Sequence, residues 1–189
     1  MTLVATHRPA DDIAEILVSA EDIGAKVREL GTRIAADYAG KDLVLVSILK
    51  GALPFLADLM RATQIPLALD FLEVSSYGTG TESSGVVRIL KDLAQPIEGR
   101  DVLVVEDILD TGQTLTYVME HLRAQRPASV RLCVLLDKPA RRVVPVEIDY
   151  RGFEIPDKFV VGYGLDYAER YRNLPFVGVL KSEVYARPS

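Results

Sequence analysis

Apolar positions along the chain change their period several times, and the changes mark out alternating helices and strands. Ser19 precedes a stretch in which Ile23, Val27, Leu30 and Ile34 recur at helical spacing. Asp22, three residues after Ser19, comes close to a capping box, so residues 20–38 are predicted as an amphipathic helix. The apolar run 42–49 (DLVLVSIL) predicts a buried strand. Gly51 marks a turn, and Pro54 suits the first turn of a helix over 53–62. A second strand is predicted over 67–74. Residues 75–85 (SSYGTGTESSG) hold mostly Ser, Gly and Thr and read as a mobile loop. A strand resumes at 86–90, so the pair makes a long hairpin. A central strand at 101–105, a helix at 114–125 and a strand at 129–136 follow. Beyond Asp137 the chain turns proline-rich, with short strands expected at 146–150, 159–163 and 176–180. Strands alternating with helices predict an α/β fold around a mostly parallel sheet, with the tail and the N-terminus forming a small lid beside it.

Composition narrows the class. A chain of 189 residues, 49% apolar and 26% charged, is expected to be one globular domain over 1–189 with a full core. Cys133, the one cysteine, lies in the apolar run 130–136 and reads as a small buried strand residue. The longest stretch without a formal charge, Thr111 to Met119, is too short to span a bilayer, and the opening MTLVATHRPADD has no apolar signal core. A cytoplasmic protein is the expectation. The net charge of −5 argues against nucleic acid or anionic lipid as partners. His7 and His121 match no motif, and without a Cys/His cluster structural zinc is not expected.

The segment 102–116, VLVVEDILDTGQTLT, carries the most chemistry. A buried strand ends in two adjacent carboxylates, Glu106 and Asp107. Asp110 and then Thr-Gly-Gln-Thr lead into a helix. Ligands of open α/β sheets bind at the carboxyl ends of strands. The loop from Asp110 to Thr114 would present amides and two threonine hydroxyls at a helix N-terminus, a cradle for phosphate. Gly112 would let the backbone approach the anion with no β-carbon in the way. Carboxylates beside such a cradle make sense if the ligand also carries a sugar diol or a metal, and a lone acid can serve as a general base. The bland alternative is a polar turn capped by Asp110.

VVEDILDTGQTLT resembles the phosphoribosyl pyrophosphate motif of the phosphoribosyltransferases. ILKGALPF (48–55), SSYG (75–78), LLDKPARR (135–142) and FVVGYGLDYAERYRNLP (159–175) resemble the hypoxanthine-guanine branch, in the order that family has them. The resemblance covers roughly 16–185. It implies a type I phosphoribosyltransferase fold, with the hood built from the N-terminus and roughly 139–189. It also implies purine salvage: transfer of 5-phosphoribose from phosphoribosyl pyrophosphate to N9 of hypoxanthine or guanine, with magnesium, in a homodimer or homotetramer.

The resemblance further implies the residue roles. Glu106 and Asp107 would hold the ribose hydroxyls, and Asp110 would manage the proton at purine N7. Thr111, Gly112, Gln113 and Thr114 would bind the 5′-phosphate, Gln113 through its backbone. Lys50 and Gly51, after a cis peptide, would bind pyrophosphate together with Arg172. Ser76 and Tyr77 would cap the site, which also suits chemistry in which water would intercept a reactive ribosyl centre. Lys138 would donate to the 6-oxygen of the base, because an ammonium has only donors and so favours an oxo over an amino group. Phe159 would stack on the purine and the Val160 backbone would read its edge. Asp166, with Glu106 and Asp107, would bind magnesium. On the residues alone, Lys50–Gly51 could be an ordinary turn, Lys138 a solvated lysine, Phe159 plain core and DYAERYR a charged helical turn.

Overall fold

The computed structural model describes residues 8–77 and 86–185, side chains excepted at 76, 77 and 86. A six-stranded sheet runs in the order β4-β3-β2-β5-β6-β7, from β2 (Leu43–Ile48), β3 (Leu67–Tyr77), β4 (Val86–Lys91), β5 (Asp101–Leu109), β6 (Ser129–Asp137) and β7 (Tyr150–Glu154). All neighbours are parallel except the edge hairpin β3–β4.

Period-2 alternation in the central strands builds a core layer on each face. Leu43, Leu45, Leu103, Val105, Cys133 and Leu135 pack with α1 (Ala20–Asp37) and α2 (Leu53–Ala62). Val44, Val46, Val102, Val104, Leu132 and Val134 pack with α3 (Gln113–Ala124) on the other side. Cys133 is fully buried, as expected. Ser19 caps α1, accepting from the Asp22 amide at 3.1 Å. The four positions read as its apolar stripe are all buried.

Four local expectations need correction. β5 does not stop at Val105 but runs to Leu109, because β6 carries the ladder onward through Glu106↔Val134, Ile108↔Leu136 and Leu109↔Asp137. Ser75, Ser76 and Tyr77 belong to β3, where Arg88, Val87 and Val86 of β4 pair with them; residues 78–85 of the expected loop lie outside the described residues. The strand expected at 146–150 begins only at Tyr150: Val146 and Ile148 pack instead against the core layer beneath α3. Residues 13–18, not expected as an element, form β1 (Ile13–Val18). It joins β8 (Val160–Val161) and β9 (Val177–Leu180) in a separate antiparallel sheet ordered β1-β9-β8. Val161, Tyr171, Leu174 and Leu180 form that sheet's own small core, and the short helix α4 (Ser182–Tyr185) follows. The tail is thus divided, β7 completing the large sheet and β8 and β9 the small one.

The chain leaves β2 for β3 on one side and later adds β5 on the other. The carboxyl ends of β2 and β5 therefore flank a topological switch point, where sheets of this kind bind ligands.

Candidate active site

Asp107 ends up buried and Glu106 partly buried because β5 continues into the loop between paired neighbours. Burial, and then the neighbouring Asp107 charge, push the Glu106 carboxyl well above the usual carboxylate range. Burial raises Asp107 too, against lowering contacts from Glu106, the Ile108 amide and Arg172. Asp107 Oδ1 accepts from the Ile108 amide at 2.7 Å, whereas Glu106 Oε2 is buried with no partner. Unpartnered buried oxygens are costly in a fold and are typical of places that receive a ligand's donors.

Glu106 and Asp110 line one cleft of about 190 Å³ with Ile48, Thr111, Gly112 and Thr114. The loop opens α3 at Gly112, whose missing side chain leaves the helix start without a side-chain cap. Thr111 Oγ1 reaches the Gln113 amide only at 3.5 Å, too far to satisfy it. Amides, hydroxyls and the positive end of the helix dipole thus face the cleft with Glu106.

Gly112 is also constrained from behind the loop. Its φ is +88°, and a β-carbon there would lie 2.5 Å from the Val144 carbonyl oxygen and 3.2 Å from Arg142 Cδ. The protein segment packed behind the loop therefore requires a glycine here.

That segment, 138–144, is the support that sequence reasoning missed. The Lys138 amide donates to the Leu109 carbonyl at 3.0 Å, and the Val143 and Val144 amides donate to the Thr111 carbonyl at 2.9 and 3.0 Å. Arg142 Nε donates to the Asp110 carbonyl at 2.9 Å. Its terminal nitrogen reaches the Leu109 carbonyl at 3.3 Å and pairs with Asp137. Asp137 is 2% exposed, and Arg151 Nε stands 3.1 Å from its other oxygen. Arg141 Nε is 3.3 Å from Asp110 Oδ1. The motif LLDKPARR contains both arginines, but nothing in it says that they turn back onto the loop.

Lys138 is not a solvated lysine. It is 5% exposed, donates to the Lys158 carbonyl at 2.8 Å and lies 3.5 Å from Asp157. Phe159, next to that carbonyl, is not core: it is 53% exposed, with its ring edge-on to Tyr167 at 5.9 Å. Val160 is buried in β8. Lys138, Phe159 and Val160 are brought together, beside the end of β5.

A second group gathers around the turn after β2. The Leu49–Lys50 peptide is cis. A β-carbon on Gly51 would lie 2.0 Å from Asp107 Oδ2, so only glycine lets this turn close over the buried acid. Lys50 Nζ is 3.4 Å from Glu169, and Glu169 is 3.2 Å from Arg172. Arg172 also contacts Asp166 at 2.8 Å and donates to the Gly164 carbonyl at 2.8 Å. Arg172 and then Lys50 hold the Glu169 carboxyl below its usual value. DYAERYR is not a helical turn: Ala168, Glu169 and Tyr171 have positive φ. Glu169 is a second residue that sequence reasoning missed.

Among the described residues no three acids, histidines or cysteines gather into a metal cage. Magnesium needs none, since one or two carboxylates plus substrate phosphates suffice. The Glu106 Oε2, buried without a partner, is an oxygen of the kind that mode uses. The Ser76 and Tyr77 side chains lie outside the described residues, as does His7. His121 is structural, held 2.9 Å from Asp92. No helix among the described residues is long and apolar enough to cross a membrane.

A switch-point crevice with an uncapped helix start, two adjacent acids and nearby cations suits an enzyme that handles phosphorylated ribose. The chain belongs to the phosphoribosyl transferase domain family, whose pattern matches residues 14–168. Its relatives include hypoxanthine-guanine phosphoribosyltransferases. It is 53% identical over 174 residues to the hypoxanthine-guanine phosphoribosyltransferase of Streptococcus thermophilus, covering 92% of this chain and 97% of the relative. It is 52% identical over 176 residues to the bifunctional protein TilS/HprT of Listeria innocua, covering 93% of this chain but only 27% of that longer protein. Its fold superimposes on the crystal structure of a hypoxanthine phosphoribosyltransferase from Staphylococcus aureus with a TM-score of 0.93. That pair is 49% identical, over 97% of this chain and 100% of the other.

Proposed function

We propose that this chain transfers the 5-phosphoribosyl group from phosphoribosyl pyrophosphate to N9 of hypoxanthine or guanine, giving IMP or GMP and pyrophosphate. The observation that carries the reading is the cleft at the end of β5, where Glu106, with its unpartnered buried Oε2, and the uncapped start of α3 share one wall. A ribose 5-phosphate matches that wall, its hydroxyls donating to Glu106 and Asp107 and its phosphate accepting from residues 111–114.

In this reading Lys138 donates to the 6-oxygen, Phe159 stacks on the base and the Val160 backbone reads its edge. Lys138 is already held by an acceptor, the Lys158 carbonyl, which leaves it further hydrogens but no lone pair. An amino group at position 6 would meet donors only, which favours oxopurines over adenine. Lys50, Gly51 and Arg172 receive the pyrophosphate. The C1′–O bond breaks ahead of attack, N9 enters from the opposite face and inverts C1′, and Asp110 accepts or returns the N7 proton. Ser76 and Tyr77 close over the reacting centre and exclude water. Asp166, Glu106 and Asp107 would hold magnesium, which when bound neutralises charge on the leaving group. Positioning and fixed charge supply most of the acceleration. The same reading takes the protein as a cytoplasmic homodimer or homotetramer with no nucleic-acid or membrane partner.

Asp110→Asn tests the assignment. Turnover with hypoxanthine is expected to fall by roughly 10²- to 10⁴-fold while phosphoribosyl pyrophosphate still binds. Wild-type turnover in this variant would remove Asp110 from the reaction.

A further inference from the structure

The Lys50–Glu169–Arg172 chain is an arrangement the proposed reaction does not use. One carboxylate places its two oxygens on two cations, Oε2 at 3.4 Å from Lys50 and Oε1 at 3.2 Å from Arg172. These are the side chains assigned above to the pyrophosphate, and an anion that engages both must take them from Glu169.

Three features suit Glu169 to that exchange. Its backbone is anchored independently of its carboxylate: its amide donates to Asp166 at 2.9 Å, and with a φ of +60° it sits in the turn closed by the Tyr167–Arg170 bridge. Its side chain is 67% exposed, so no packing holds the carboxylate in place. Glu169 lines a cleft of about 440 Å³ with Pro9, Asp12, Arg170, Arg172 and Asn173, which gives a displaced carboxylate room to turn. Arg172, in contrast, stays fixed when Glu169 leaves, because Asp166 and the Gly164 carbonyl hold it. Its Nε is buried with no partner, a donor in reserve for an incoming oxyanion.

We propose that Glu169 is a built-in competitor of pyrophosphate. Its carboxylate spans Lys50 and Arg172, keeps the two cations oriented toward one anion, and lowers the affinity for pyrophosphate so that the product leaves. The inference rests on the pyrophosphate role proposed for Lys50 and Arg172. It differs from a structural role in sign. If Glu169 merely ordered the segment, its loss would weaken anion binding; as a competitor, its loss strengthens it.

The test is calorimetric titration of the full chain with sodium pyrophosphate in magnesium buffer, across wild type, Glu169→Gln, Glu169→Asp, Glu169→Ala and Lys50→Gln. Glu169→Gln keeps the size and removes the charge, and is expected to bind pyrophosphate roughly three- to thirtyfold more tightly, the range two partly screened ion pairs and one repelling charge can supply. Glu169→Ala should shift the same way, and Glu169→Asp should stay near wild type. In turnover, Glu169→Gln should lower the KM for phosphoribosyl pyrophosphate while kcat falls as release slows. Unchanged or weaker pyrophosphate binding in both Glu169→Gln and Glu169→Ala, with Lys50→Gln still losing affinity, overturns the role of Glu169 alone. A wild type that does not bind pyrophosphate, or a Lys50→Gln variant that binds it as well as wild type does, overturns the pyrophosphate site and Glu169 with it.

Discussion

Replacing Arg142 by methionine tests whether the segment behind the phosphate loop holds the loop in working shape. Methionine matches the reach of the arginine stem and removes the guanidinium. Three acceptors lose a donor at once: the Asp110 carbonyl, the Asp137 carboxylate, and the Leu109 carbonyl, which keeps the Lys138 amide. The Arg142 side chain is 17% exposed and that of Asp137 3%, so water does not readily replace what is lost. Breaking a buried pair from one side costs about 3–5 kcal/mol. Arg151 remains on the other oxygen of Asp137 at 3.1 Å but is 52% exposed, so compensation is partial and the lower end applies. The expected loss is about 3 kcal/mol in urea unfolding, with about 1 kcal/mol for the freed Asp110 carbonyl included. Adding Asp137→Asn removes the stranded charge and should recover ~1–2 kcal/mol of it, a coupling readable from a double-mutant cycle. Activity should suffer beyond stability: the loop that presents Asp110 loses its side-chain anchors from behind, keeping only the backbone ones, so the KM for phosphoribosyl pyrophosphate should rise by about tenfold or more even where the variant is fully folded. A stability loss under ~1 kcal/mol together with an unchanged KM would refute this reasoning.

Other perturbations have equally definite outcomes. Gly112→Ala forces a β-carbon to 2.5 Å from the Val144 carbonyl at a φ of +88°, and should cost more than ~2 kcal/mol in thermal or urea unfolding while weakening phosphoribosyl pyrophosphate binding. Lys138→Met removes the charged donor proposed for the 6-oxygen, so kcat/KM for hypoxanthine and guanine should drop roughly 10- to 150-fold, with adenine no worse than before. Asp92 gives the pH test. Burial raises its carboxyl, but His121, the Leu93 amide and Gln125 outweigh this and hold it low. A depressed carboxyl stabilises above its unfolded value near pH 4 and loses that contribution as pH falls through the folded one. Asp92→Asn should therefore lose up to ~1 kcal/mol against wild type at pH 7, and the gap should close as pH falls below the folded value, the pair being partly exposed.

What the sequence revealed and what it hid divide along one line. The helix over 53–62 and the helix after the phosphate loop could be read because apolar spacing and the proline at a first turn are local properties. The end of β5 could not. Two adjacent acids read as the close of a strand, and only the partner residues on β6 keep the backbone extended through them. β1 was hidden for the same reason. Its run of largely exposed positions has no alternation of its own, and β9, more than 150 residues later, supplies its ladder. In the site, Glu106, Asp107, Asp110 and the loop after them form one consecutive motif and were legible. Arg142 and Glu169 lay in recognised motifs, yet their roles arise from chain folding back on the loop and on Lys50. Gly112 was singled out for a reason that belongs to the front of the loop, whereas a second constraint comes from behind.

The central claim is that this site transfers phosphoribose to a 6-oxopurine. One measurement meets it head-on: a single reaction containing phosphoribosyl pyrophosphate, magnesium and equal concentrations of hypoxanthine, guanine, xanthine and adenine, with the nucleotides resolved and quantified. IMP and GMP should dominate the early products, each with an equivalent of pyrophosphate, and AMP should be all but absent. AMP as the main product, or no nucleotide from any base, would contradict the account.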